Sequence, residues 1–165
     1  MSGPEQMSTH VSERALVTLD QLAQSLGTTI GISDWVRIDQ TMIDQFAGVT
    51  GDDAFIHVDP QRAAATRFHG TIAHGLLTLS LLPRLARTAT PQLDGTRMSV
   101  NYGFDRVRFI TPVPVNSRVR AQFDLSDISA PKPGFRRIAY DVRVDLEHAS
   151  SPAVTARWLL GHWMT

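Results

Sequence analysis

The chain of 165 residues carries 16 basic and 16 acidic side chains, so no overall field draws it to nucleic acid or to an anionic membrane. Without cysteine it has no disulfide, thiolate nucleophile or thiolate metal site, and no stretch approaches the roughly 18 apolar residues of a membrane span. One soluble, cytoplasmic domain is expected, with its function in a local site.

Residues 1–14 are small and polar and read as a disordered tail, leaving 15–165 as the domain. TLDQLAQSLGT then reads as a short helix: Thr18 is its N-cap, Gln21 the capping-box partner and Gly27 the stop, with Leu19, Leu22 and Leu26 on one face. Trp35 to Asp39 alternates like a strand. A second helix follows over TMIDQFAGV, with Thr41 and Asp44 in capping-box spacing and Met42, Ile43, Phe46 and Val49 facing inward.

Gly51 ends that helix, so TGDDAFIHVDP, residues 50–60, is expected as a loop that crowds three carboxylates and an imidazole beside Phe55, Ile56 and Val58. Asp59 and Pro60 have the form of N-cap and first residue of the next short helix. TIAHGLLTLSLLPRLAR is apolar on nearly all sides, which predicts a buried helix kinked or divided near Leu82 by Pro83.

From Ser99 onward the period changes to two. Val119, Ala121, Phe123 and Leu125 share one strand face, as do Ile138, Tyr140, Val142, Val144 and Leu146, and Val154, Ala156, Trp158 and Leu160. TPVPVN, SAPKPG and HASSP separate the strands. Helices followed by consecutive long strands predict an α+β fold, an antiparallel sheet wrapped around one long central apolar helix in a single hot-dog arrangement. Its open edges predict a homodimer.

Asp52 and His57, close together in a loop, pair a carboxylate with an imidazole as acid and base. Ala73, His74 and Gly75 open the central helix, where unpaired backbone N–H groups and the dipole favour a developing oxyanion, and a glycine lets a ligand approach closely. His74 reads first as a backbone anchor and second as a polar group of the cleft. Asn101 and Tyr102 read as a bulge or as part of the pocket mouth. Arg62, Arg67, Arg84, Arg87, Arg106 and Arg108 are candidates for phosphate contacts. His57, Asp59, His69 and His74 match no common zinc spacing, and no metal, flavin or nicotinamide signature is present.

Residues 46–85, FAGVTGDDAFIHVDPQRAAATRFHGTIAHGLLTLSLLPRL, resemble the MaoC-like dehydratase family, the (R)-specific enoyl-CoA hydratases or hydratase 2 proteins, and most closely its NodN-like single-domain branch. RVRFITPVPVNSRVR, residues 106–120, resembles the strand and turn that follow in that family. The resemblance implies a hydro-lyase that adds water reversibly to a trans-2-enoyl thioester of coenzyme A or acyl carrier protein, with no cofactor. It assigns catalysis to Asp52 and His57 and the thioester oxygen to the Gly75 N–H, with Ala73, His74, Phe55, Asn101 and Tyr102 as substrate neighbours. Ala54 and Phe55 stand where the family usually has Asn and Pro, so an amide that could orient the loop or the water is missing. The other readings are a hot-dog thioesterase, which would direct water at C1, and a non-catalytic acyl thioester binder.

Overall fold

The protein is described by a computed structural model over residues 14–165. The expected tail, residues 1–14, lies outside the described residues except for Arg14. That residue is anchored: its Nε and Nη2 donate to Thr90 O at 2.9 Å, Thr90 Oγ1 at 2.8 Å and Pro91 O at 3.0 Å.

The chain opens with a two-residue strand β1 (Leu16–Val17) and the helix α1 (Leu19–Ala23). The capping box forms as read, with the Thr18 side chain accepting from Gln21 N and the Gln21 side chain accepting from Thr18 N. The helix stops earlier than Gly27, and only Leu22 of its three leucines is buried. Strands β2 (Thr29–Ile32) and β3 (Val36–Arg37) lead to α2 (Gln40–Thr50).

The N-cap of α2 is Asp39, whose side chain accepts from Met42 N at 2.9 Å, and not the expected Thr41 and Asp44 pair. Asp39 leaves β3 in an extended conformation, so the helix starts two residues sooner and places Gln40 in its first turn. Ile43 and Ala47 are buried, whereas Val49, expected inside, is 87% exposed on the last turn. Gly51 ends the helix in the left-handed region at φ 74.

The segment expected as a loop contains a single helical turn, α3 (Phe55–Val58). The helix α4 (Pro60–Ala64) follows with Asp59 as N-cap, accepting from Arg62 N at 3.0 Å, and with Pro60 in its first turn as read. The long central helix is instead two pieces, α5 (Gly75–Ser80) and α6 (Leu82–Ala89), joined at Leu81. Pro83 lacks an N–H and its ring clashes with the preceding turn, so it is accommodated only in the first turn of a new helix. Nor is the pair buried all round: Leu76 is 57% exposed, and Ser80 Oγ is exposed and bonded to Leu76 O at 2.7 Å.

After β4 (Gln92–Leu93), which pairs in parallel with β1, come the four long strands β5 (Thr96–Phe109), β6 (Arg118–Lys132), β7 (Phe135–Leu146) and β8 (Val154–Met164). The main sheet runs β2-β6-β7-β8-β5 with β3 also on β6, and all its pairings are antiparallel. The alternating residues read from the sequence form its inner face. Phe123, Leu125, Ile138, Val144 and Val154 are nearly inaccessible. Each contributes about 1.5–3 kcal/mol by leaving water. Leu77, Leu82, Leu85 and Ala86 of the divided helix fill the hollow of the sheet. Asn101 to Gly103 is a bulge on β5.

Candidate functional site

Two stretches of chain, 52–57 and 71–75, build the site, and neither is held mainly by its own secondary structure. α3 is one turn with no side-chain cap bond, far below the roughly 12 residues at which an isolated helix becomes stable. Its place is imposed by hydrogen bonds to the other stretch. Ile72 N donates to Ile56 O at 3.0 Å. His57 Nδ1 lies 2.7 Å from Ile72 O, and His74 Nε2 lies 2.8 Å from Asp52 O. The 71–75 stretch is fixed in turn to the segment after β5: Ala73 N donates to Val113 O at 2.8 Å, Val115 N to Thr71 O at 2.9 Å, and Ile72 bridges Pro114.

These bonds define the tautomers. A backbone carbonyl only accepts, so His57 must carry its proton on Nδ1 and His74 on Nε2. In its neutral form the His57 ring therefore keeps a lone pair on Nε2, which has no hydrogen-bond partner among the described residues. His57 and His74 are both buried and stack with ring centroids 3.8 Å apart at 26°. Phe46 of α2 lies against His74 at 5.0 Å. His74 thus anchors the backbone of Asp52, and its Nδ1 is buried without a hydrogen-bond partner among the described residues.

Asp52, His57 and His74 each offer an oxygen or nitrogen within 4.8 Å of the others. A water about 2.8 Å from each end of such a gap bridges carboxylate and imidazole. The same three residues have the composition of a transition-metal set, which the spacing of the sequence did not reveal. However, the lone pairs of a ring lie in its plane, and two stacked rings direct theirs side by side and not at a common point.

A cavity of about 380 Å³ is lined by His57, Gly75, Ile72, Ala73, Thr78, Phe109, Val113 and Val154 among others. Its walls are mostly apolar, as a cleft for an acyl group requires. Gly75 is the first residue of α5, and its N–H has no intrahelical partner. The absence of a side chain at 75 has a steric origin: a Cβ there would stand 2.7 Å from Phe109 Cδ1.

The remaining candidates are distributed as follows. Asp52 is exposed and reaches the site beside His57 without lining the cavity. Ala73 lines it, whereas Phe55 does not: its ring lies under the Arg62 guanidinium at 4.4 Å. Asn101 and Tyr102 also lie away from the cavity, Asn101 Oδ1 accepting from Trp158 Nε1 at 3.1 Å and Tyr102 packing against Phe135 at 6.0 Å. Both belong to the bulged stretch of β5. Of the six arginines considered, Arg67 lines the cavity, and it also lines an adjoining groove with Phe68, Pro112 and Pro114. Gln40 escaped the sequence reading altogether, because its three partners, Asp44, His57 and Thr71, are distributed over the chain.

Residues 21–149 match the family described as MaoC like domain. The protein belongs to the MaoC-like family. This MaoC-like chain is 46% identical over 144 residues to the nodulation protein N of Rhizobium meliloti (strain 1021), covering 87% of its own length and 89% of that protein. It is 43% identical to the 3-hydroxyacyl-thioester dehydratase Z of Mycobacterium tuberculosis (strain CDC 1551 / Oshkosh) over 87% of its own length and 94% of that protein. Among solved structures, the (R)-hydratase of A. caviae involved in PHA biosynthesis matches with a TM-score of 0.62 at 25% identity, covering 79% of this chain and 94% of that one. Within the MaoC-like fold, the stretch that carries Asp52, His57 and Gly75 falls inside the matched residues.

Proposed function

We propose that the protein is an enoyl thioester hydratase and (R)-3-hydroxyacyl thioester dehydratase, with Asp52 and His57 as its acid and base pair and the Gly75 N–H as its oxyanion donor. The observation that carries this reading is His57, whose Nδ1 is engaged by Ile72 O so that Nε2 is the ring nitrogen left for a substrate or water, in the cavity that Gly75 also lines. The naming of a relative at 43% identity as a 3-hydroxyacyl-thioester dehydratase supports it.

In the hydration direction a water held between the Asp52 carboxylate and His57 Nε2 attacks C3 of the conjugated thioester. One of the two residues takes a proton from that water as the C3–O bond forms. The electron pair of the C2–C3 double bond moves to the thioester oxygen, and the Gly75 N–H stabilises the resulting enolate. Removal of one such donor elsewhere costs about 3–4 kcal/mol. C2 then takes a proton from the pair, which balances the addition of water and restores the starting enzyme. Apolar walls around the cavity keep bulk water from the enolate. The chemistry asks for no cofactor, and the carrier is coenzyme A or acyl carrier protein, with Arg67 the arginine that lines the cavity.

The working unit in this reading is a homodimer. β5 is the open edge of the sheet among the described residues, 14 residues long, and carries Met98 and Tyr102 at 51% and 55% exposure. A long apolar edge is a liability that a second copy removes.

The test is loss of the conjugated absorbance of crotonyl-CoA, with free thiol followed in parallel. Asp52→Asn and His57→Ala, folded as the parent, are expected to lower kcat by about 10²- to 10⁴-fold. Parental rates in both variants would end the assignment. Loss of the absorbance with no free thiol means hydration, whereas free thiol formed in step with that loss would mean hydrolysis at C1.

A further inference from the structure

We infer that Gln40 is a positioning residue of this site, setting the distance between the acid and base segment and the oxyanion segment; the inference rests on the proposed roles of Asp52, His57 and Gly75. All the hydrogen-bonding capacity of its amide that matters is used. Gln40 Nε2 donates to Asp44 Oδ1 at 2.7 Å and to His57 O at 2.8 Å, and Gln40 Oε1 accepts from Thr71 Oγ1 at 2.6 Å. Because a carboxylate and a backbone carbonyl only accept, the NH2 end must face Asp44 and His57, and the oxygen must face the Thr71 hydroxyl.

The placement explains why the bonds matter. Gln40 opens α2, a helix of 11 residues pinned to the core through Ile43 and Ala47. It is therefore a fixed reference. On one side it holds the main chain of His57, at the C-terminal end of a single helical turn that cannot sustain itself. On the other it holds Thr71, a buried residue four positions before Gly75. The Asp44 contact orients the amide from within α2. Without Gln40, the two segments are joined among the described residues by the bonds they make to each other through Ile72 and His74, and the 71–75 stretch keeps its bonds to Val113 and Val115.

A side chain that only stabilised the fold would change the melting temperature and leave turnover alone. A positioning residue changes turnover, because a displacement of about 1 Å in a catalytic group costs on the order of 10²-fold. Gln40→Met preserves the length of the side chain and removes all three bonds. In the full-length protein it is expected to lower kcat for crotonyl-CoA hydration by about 10- to 100-fold, the range found for residues that orient catalytic ligands. KM is expected to stay within about threefold, since the apolar cavity is untouched. Thr71→Val, nearly the same shape, removes only the hydroxyl and is expected to give a smaller loss. The double variant should be no slower than Gln40→Met alone, because both act through one bridge.

Asp52→Asn is measured alongside to separate the two readings. Slow Gln40→Met with a non-additive double variant supports the bridge. If Asp52→Asn is inactive but Gln40→Met turns over within twofold of the parent, or if the two single losses multiply in the double variant, Gln40 does not position the site. If Asp52→Asn retains the parental rate, it is the acid and base assignment that fails. Should Gln40→Met not fold, Thr71→Val carries the test: a parental kcat there overturns the bridge.

Discussion

At the scale of single residues, Gly75 and His162 show how packing and burial set limits that composition does not reveal. Alanine at 75 would bring a Cβ to 2.7 Å from the half-exposed Phe109 ring, which must swing aside into the cavity. Gly75→Ala is expected to cost about 1–3 kcal/mol of stability in a urea titration, as overpacking does. It should lower kcat/KM as well, and Phe109→Leu in the same chain should restore the stability. His162 is buried on β8 with Nδ1 2.9 Å from Ser99 Oγ and Nε2 without a partner among the described residues. Burial, and then the Arg14 guanidinium, hold its pKa below the ordinary histidine range. Folding therefore favours the neutral ring. Its contribution to stability is present above about pH 6.5, the unfolded value, and is lost as pH falls through the depressed folded value. The urea midpoint should fall between pH 7.5 and pH 5, with a shallower fall in His162→Gln. On the alkaline side, burial pushes Tyr140 up to about 12, so its contribution is lost as pH rises from about 10 toward that value.

At the scale of elements, the helices divide into those that are capped by their own sequence and those that are placed by others. α1 has a complete capping box and lies away from the cavity lined by His57 and Gly75. Thr18→Ala is expected to cost about 1 kcal/mol, read as a lower denaturation midpoint, with kcat unchanged. α3 has no such cap, and its single turn exists because Ile72, Gln40 and the N-cap of α4 surround it. The division of the central helix at Leu81 has a local cause in Pro83, yet its effect is tertiary: the α6 segment turns Leu82, Leu85 and Ala86 into the sheet while α5 presents Leu77 and Thr78.

At the scale of the whole molecule, the sheet has one guarded edge and one open edge. β2 and β3 cover β6 at one side, whereas β5 at the other has only β8 as a neighbour among the described residues. Phe109 and Ile110, exposed at the end of β5 and just beyond it, line the cavity. A second copy covering this edge would remove the aggregation risk. The parent is expected to sediment as a dimer at micromolar concentration. The paired substitution Met98→Asp and Tyr102→Asp, which sets like charges against each other across a twofold axis, is expected to sediment as a monomer.

The long strands were legible because a period of two, as in Val119, Ala121, Phe123 and Leu125, is a local pattern that one buried face enforces. The Thr18 and Asp59 caps were legible for the same reason, each being a contact within one turn. The motif that carries Asp52, His57 and Gly75 was also visible as a string of residues. What it could not contain was the relation between its two halves. The tautomer of His57 depends on Ile72, the place of Asp52 on His74, and both segments on Gln40, contacts that span up to 31 positions. Short strands β1, β2 and β4 went unread for a related reason: with two to four residues they have no period, and only a partner strand makes them strands. The bulge at Asn101 to Gly103 was legible as a polar break in an alternating strand, whereas its register against β8 was not. Sequence by itself determined which residues are apolar in which rhythm and where chains of them must turn. Tertiary structure alone decided which polar atoms meet, because a hydrogen bond depends on distance in space and not on separation along the chain.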